Sequence, residues 1–273
     1  MTNTAPPVVL TFSGSDPTGG AGVEADILTL ASMGCHPAPV ITAVTAQDTV
    51  EVKQFTATKT ELVIAQARAI LEDMPVAAIK TGMIGNIANL SAIATILSDY
   101  PSIPLIVDPV LASGGGDELS DEPLEDALKT LLIPMASLIT PNTLEIKRLA
   151  NDADSLDACA HQLLSLGCRH VLITGSHDNT EDILHRLYSN AGLIKTFAVK
   201  RLTGDFHGSG CTLASACAAS FAHGINIEDG LVHALKYTEN TLTHAYRLGM
   251  GQNLPNRLYW SHVSGNPTPK KPS

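Results

Sequence analysis

The stretch His207-Gly208-Ser209-Gly210-Cys211-Thr212-Leu213-Ala214-Ser215-Ala216 runs from a glycine turn straight into an alanine-rich helix, with a thiol in the first helical turn. Glycines let backbone approach a ligand closely, and the unpaired N–H groups and positive dipole end of a helix attract phosphate or developing negative charge. The turn reads as an anion hole, with Cys211 the one nucleophile or base held in it. A helix N-terminus lowers a thiol's pKa from about 8.5, so Cys211 is expected to accept a proton near neutral pH. Taken alone, the same residues also fit a buried small side chain behind a capping turn. Other segments decide between the two.

Around this turn, from Val8 to about Leu248, short β-branched runs alternate with helical patterns, as in a mostly parallel central sheet flanked by helices on both faces. The pattern predicts strands at Val8–Phe12, Pro39–Val44, Val76–Lys80, Ile103–Val107, Ser137–Thr140, His170–Thr174, Ile183–Tyr188 and Leu193–Val199. Helices are predicted at Gly22–Met33, Thr60–Met74, Ile87–Ser98, Pro123–Leu132, Ser155–Leu166, Gly210–His223 and Ile227–Leu248. No long linker or internal repeat divides the chain, so residues 1–262 are expected to form a single α/β domain. Residues 263–273 are expected to form a disordered tail of Pro, Gly and Lys.

The 273 residues, 44% of them hydrophobic, are enough for a large core. A net charge of −10 without a basic, aromatic-interleaved cluster argues against nucleic-acid binding. Five cysteines without C-x-x-C spacing or paired histidines argue against a disulfide framework and a zinc site, and for a reducing compartment. The N-terminal residues lack a basic leader and no apolar run reaches the roughly 20 residues of a membrane span, so a cytoplasmic location without membrane partners is expected.

Candidate ligand residues gather where parallel strands end, the edge at which open α/β sheets bind ligands. Gly14-Ser15-Asp16-Pro17-Thr18-Gly19-Gly20-Ala21-Gly22 is a glycine-dense loop feeding a helix that carries Asp26, able to admit a flat ligand or simply to turn with Asp16 as a cap. Gln47 offers an amide donor and acceptor suited to an aminopyrimidine edge, or is a surface residue. Met83, in Lys80-Thr81-Gly82-Met83, either lies on an aromatic ring or packs in the core. Asp108, Asn142 and Glu145 place oxygen ligands just past strands. Magnesium bound with triphosphate needs such oxygens, although a turn residue, an N-cap and a first-turn acid would look the same. Thr174-Gly175-Ser176 ends another strand in small hydroxyl residues. Neither a G-x-x-x-x-G-K-[ST] loop nor a dinucleotide G-x-G-x-x-G is present.

In order, G-S-D-P-T-G-G-A-G-V-E-A-D, V-I-T-A-V-T-A-Q-D, K-T-G-M, D-P-V, T-P-N-x-x-E and H-G-S-G-C-T-L resemble the hydroxymethylpyrimidine/phosphomethylpyrimidine kinases of thiamine biosynthesis, in the ribokinase-like superfamily. The resemblance spans about Val8 to Gly224. It implies ATP- and Mg²⁺-dependent phosphorylation of 4-amino-5-hydroxymethyl-2-methylpyrimidine to the monophosphate and then the diphosphate. It implies a pyrimidine pocket of Gly14, Ala21, Asp26, Gln47, Met83 and Val110, with Asp26 and Gln47 reading the polar ring edge. Gly208 and Gly210 would form the anion hole, and Cys211 would take the hydroxymethyl proton. Asn142, Thr174 and Glu145 match nucleotide-side positions, with Asp108 and Glu145 towards the magnesium, and a homodimer is implied.

Two positions depart from the family pattern. Gly114 stands where an A-K-S-G stretch usually carries a lysine, and Thr174-Gly175-Ser176-His177 replaces K-G-G-H. Pyridoxal kinase is the nearest alternative, since that reaction also phosphorylates a hydroxymethyl group on a flat heteroaromatic ring, and a non-catalytic pyrimidine sensor is the alternative from another class.

Overall fold

Strict alternation along the strands builds two hydrophobic layers. In the computed structural model, which describes residues 5–112, 116, 119–176, 178 and 180–261, Leu10 and Phe12 of β1 (Val8–Ser15) join one core and Val9 joins the other. The same division separates Ile79 from Ala78 in β4 (Val76–Thr81), Leu105 and Val107 from Ile106 in β5 (Leu105–Val107), and Val171 and Ile173 from Leu172 in β7 (Val171–Ile173). With both faces buried, these strands read as continuous apolar runs, which is why the sequence announces them.

With β2 (His36–Gln47), β3 (Val52–Ala57), β6 (Leu138–Ile139), β8 (Asp182–Ser189) and β9 (Gly192–Lys200), they form a nine-stranded sheet in the order β3-β2-β1-β4-β5-β6-β7-β8-β9. β2, β1, β4, β5, β6 and β7 run parallel, while β3, β8 and β9 pair antiparallel. Helices α2 (Thr60–Asp73), α3 (Ile87–Ser98), α5 (Thr143–Leu149) and α6 (Leu156–Ser165) supply one core; α1 (Gly22–Ser32), α7 (Ser209–Ala222) and α8 (Ile227–Thr243) supply the other. The layered architecture matches the ribokinase-like expectation. Strand order reverses at β1, which opens a crevice beyond its carboxyl end between β2 and β4.

Several boundaries differ from expectation. β3 is an edge strand whose residues cover no core and alternate only weakly, so periodicity missed it. The stretch expected as one helix at Pro123–Leu132 is α4 (Glu122–Ala127) followed by a wider π-turn at Leu128–Leu132. α8 stops at Thr243 rather than Leu248, because Tyr246 leaves to pair with Leu254. Gly114, His177 and the tail 263–273 lie outside the described residues.

Asn86, Asp121, Asn142, Ser155 and Asn226 cap α3, α4, α5, α6 and α8 with their side chains. α1, α2 and α7 start without a capping side chain, and α7 starts at a left-handed glycine, Gly208 with φ of 76°, so that no side chain of its own turn covers its first N–H groups.

Candidate functional site

The loop after β1 is a rigid construction. The buried Asp16 carboxylate accepts from Thr18 N at 2.8 Å, Thr18 Oγ1 at 2.9 Å and Ala21 N at 2.7 Å, and meets His207 Nε2 at 2.8 Å. Burial works against its ionisation, but these hydrogen bonds outweigh it and hold the Asp16 pKa below the usual carboxylate value. The His207 contact ties this loop to the turn before α7. The two backbones then touch: a Cβ on Gly208 would lie 1.9 Å from the Gly20 carbonyl oxygen, so only glycine fits there.

Gly14, Gln47, Met83, Val110 and Cys211 come together in one cleft, with Thr45, Lys80 and Leu119 also on its wall. Met83 Sδ lies 3.0 Å from where a Gly14 Cβ would be, so the glycine makes room for the thioether. Half-buried Gln47 donates from Nε2 to Thr45 Oγ1 at 2.8 Å, which orients its amide at the end of β2. Two expected pocket residues are not on that wall. Ala21 is the N-cap of α1, its N–H spent on Asp16.

Asp26 lies beneath the cleft, fully buried. Ser13 Oγ donates to its Oδ2 at 2.5 Å, Ser215 Oγ to its Oδ1 at 2.7 Å, and Lys80 Nζ lies 3.0 Å from Oδ1. With both oxygens engaged, Asp26 fixes β1, β4 and α7 to one another under the cleft. Lys80, equally buried, is held protonated: burial pushes its pKa down, but the Asp26 charge outweighs that and raises it.

The thiol corrects an expectation. Burial pushes Cys211 up to about 12, and the Asp108 and Asp26 charges add to this, while Lys80 opposes it. Tertiary surroundings override the helix N-terminus, so the thiol keeps its proton at neutral pH.

Beside it, Asp108 is buried at the end of β5. Its Oδ2 has no hydrogen-bond partner among the described residues, Oδ1 receives a long 3.5 Å contact from Thr140 Oγ1, and the Cys211 thiol also faces the carboxylate. Burial raises Asp108 to about 6, with Lys80 opposing, and raises Glu145 to about 8, with the Asp108 charge adding to the shift. Two crowded carboxylates, one with an unpartnered oxygen, fit a hard divalent cation that brings phosphate and water as its other ligands. Asn142 and Glu145 also form a capping box: Asn142 Oδ1 accepts from Leu144 N and Glu145 N, and Glu145 Oε2 accepts from Asn142 N. Asn142 bridges Thr174 in parallel register, so these positions share one edge of the sheet.

Sequence reasoning gave no role to Lys80, His207 or Arg257. A lysine ending an apolar strand was a usable signal for the first, since a buried lysine needs a carboxylate partner. Arg257 offered none, because its contacts lie far away along the chain.

Comparisons with known proteins place the chain in a family. The phosphomethylpyrimidine kinase family profile matches residues 16–256. A hydroxymethylpyrimidine/phosphomethylpyrimidine kinase of Mycobacterium tuberculosis is 38% identical over 263 residues, covering 93% of this chain and 94% of that one. A phosphomethylpyrimidine kinase structure from Clostridium difficile superposes with a TM-score of 0.76 at 30% identity, covering 86% of this chain and 99% of that chain. A Bacillus subtilis pyridoxal kinase in complex with ADP gives a TM-score of 0.85 at 24% identity over 93% of this chain and 98% of that chain, a likeness of fold. The profile match and the relatives show that the chain belongs to the phosphomethylpyrimidine kinase family.

Proposed function

We propose that this protein phosphorylates the hydroxymethyl group of 4-amino-5-hydroxymethyl-2-methylpyrimidine with ATP, and then phosphorylates the monophosphate to the diphosphate, for thiamine biosynthesis. The observation that carries this reading is the single cleft in which Gly14, Gln47, Met83 and Val110 adjoin Cys211 at the open start of α7. The Gln47 amide suits the amine and ring nitrogen, and Met83 suits the ring face. We also assign a cytoplasmic location, expected from the cysteine usage, and a homodimer, which the resemblance implies; the five cysteines are free thiols, and no helix among the described residues is long and apolar enough to cross a membrane.

In this reading the hydroxymethyl oxygen attacks the γ-phosphorus, the bond to the β–γ bridging oxygen breaks, and ADP leaves. The α7 amides at Gly208–Cys211 face the charge on the transferring group, in fixed positions that need no reorganisation. Asp108 and Glu145 would hold Mg²⁺, which neutralises triphosphate charge when bound. Asn142 and Thr174 lie on the nucleotide side. Because the thiol is protonated at rest, Cys211 accepts the hydroxymethyl proton only in its thiolate form, which the neighbouring Lys80 charge favours.

The fold likeness to pyridoxal kinases keeps pyridoxal as the competing alcohol. Comparing kcat/KM for the two alcohols decides: a pocket built around Gln47 leaves its polar groups unpaired against pyridoxal and should favour the aminopyrimidine by at least tenfold. A preference for pyridoxal would overturn the assignment.

A further inference from the structure

We infer that Arg257 is a positioning residue for phosphoryl transfer: from behind the site it clamps the glycine loop of the pyrimidine pocket to the anion-hole turn, and it places a fixed positive charge there. The inference rests on the reading that the 208–211 turn receives the transferred group.

Arg257 is only 3% exposed, yet every acceptor it uses is a neutral oxygen. Nε donates to Thr212 Oγ1 at 3.1 Å, Nη1 to the Gly19 carbonyl at 3.1 Å, and Nη2 to the carbonyls of Gly20 at 2.5 Å and Gly208 at 3.4 Å. One planar fork thus joins the pocket loop, the turn residue Gly208 and the first turn of α7. Lysine, with a single nitrogen, cannot span three directions at once. The clamp is itself anchored in α8: Tyr237 Oη donates to the Arg257 carbonyl at 2.8 Å, and Asn256 N donates to Thr241 O at 3.0 Å.

Stability alone is a poor reason for this arrangement, since burying a guanidinium without a hydrogen-bonded carboxylate is costly. Function supplies a reason. The two loops present opposite parts of the reacting pair, Gly14 to the ring and the α7 amides to the phosphoryl group, so their separation sets the attack distance. The cation also faces the side of that turn away from the ligand, within electrostatic range of Cys211. The second phosphorylation, which brings two phosphate groups of like charge together, needs such charge most.

The test compares Arg257→Met, Arg257→Lys and Arg257→Gln with the parent protein, using ATP, Mg²⁺ and either the pyrimidine alcohol or its monophosphate, with folding checked by circular dichroism. The expected result for Arg257→Met is a kcat loss of about 100-fold on the alcohol with KM for the pyrimidine within about threefold, because a displacement near 1 Å can cost that much. On the monophosphate the loss should be at least fivefold greater. Arg257→Lys should restore the ratio between the two steps, because it keeps the charge, while leaving both slower than the parent. Arg257→Gln takes the place of Arg257→Met if the latter does not fold. Equal losses on both substrates with lysine no better than the neutral variant, or kcat within threefold of the parent in a folded neutral variant, would overturn the inference. An inactive parent would instead defeat the functional assignment itself, and the two failures are therefore distinct.

Discussion

Substituting alanine at Gly208 tests the contact on which the site is built. The residue has φ of 76°, a left-handed conformation that costs an L-residue roughly 1–2 kcal/mol. The new Cβ would also lie 1.9 Å from the Gly20 oxygen, 2.7 Å from its carbon and 2.9 Å from Ala21 Cα, all backbone atoms that cannot swing away. The loops must part by about 1.5 Å to reach ordinary contact, and a displacement of that size is worth about 100-fold in rate. Gly208→Ala should therefore stay folded with a melting point lower by several degrees, bind the pyrimidine weakly and lose at least about 100-fold in kcat. Gly210→Ala is the matched control. Nothing lies within 4 Å of its would-be Cβ, and alanine is the better helix former by about 1 kcal/mol, so its melting point should hold or rise. Thermal denaturation beside a coupled ADP-release assay reads both. A Gly208→Ala protein with near-parental stability and turnover would refute the argument that the two loops are locked by contact.

Other substitutions address separate parts of the account. Cys211→Ala should greatly reduce transfer while pyrimidine affinity, read by calorimetry, stays within a few-fold; near-normal turnover rejects the thiol as proton acceptor. Gln47→Leu should weaken pyrimidine binding by about 1–3 kcal/mol without unfolding the chain, and unchanged affinity would mean that the ring edge is read elsewhere. Glu145 carries a pH prediction. Because its folded pKa of about 8 lies above the unfolded carboxylate value, the folded state holds the proton more tightly. The metal-free protein should then lose stability as pH rises from about 4.5 to about 8 and change little above that. Glu145→Gln keeps the capping geometry and removes this loss, stabilising the protein at pH 8 by about 1–3 kcal/mol once solvent screening of a partly exposed side chain is allowed for. Melts in chelator across that range check it, and parallel profiles for parent and variant would exclude the shift.

What the sequence made legible was whatever local patterning enforces. The parallel strands are buried on both faces and so announce themselves, whereas β3, whose Lys53 and Gln54 face solvent at the sheet edge, does not. Gly14, Gln47, Met83 and Cys211 were readable because each lies at or just past the end of a strand or in the first turn of a helix, where ligands meet this architecture, and Val110 through the family resemblance. The misreadings are tertiary. Asp26 was placed against the ring, but Lys80, Ser13 and Ser215, brought from three other elements, take its oxygens beneath the cleft. Cys211 was expected to be acidic from its helix position alone. The carboxylates that help hold its proton come from α1 and the end of β5. Arg257 lies 237 residues from Gly20, and no local pattern marks a clamp of that reach.

A time course of products resolved by charge, from purified protein with ATP, Mg²⁺ and 4-amino-5-hydroxymethyl-2-methylpyrimidine, tests the central claim most directly. The account predicts that monophosphate rises first and is then converted to diphosphate, with one ADP released per phosphate transferred. Monophosphate accumulating with no diphosphate, even when purified monophosphate is supplied, would contradict the two-step assignment, and ATP left unconsumed would contradict the assignment altogether.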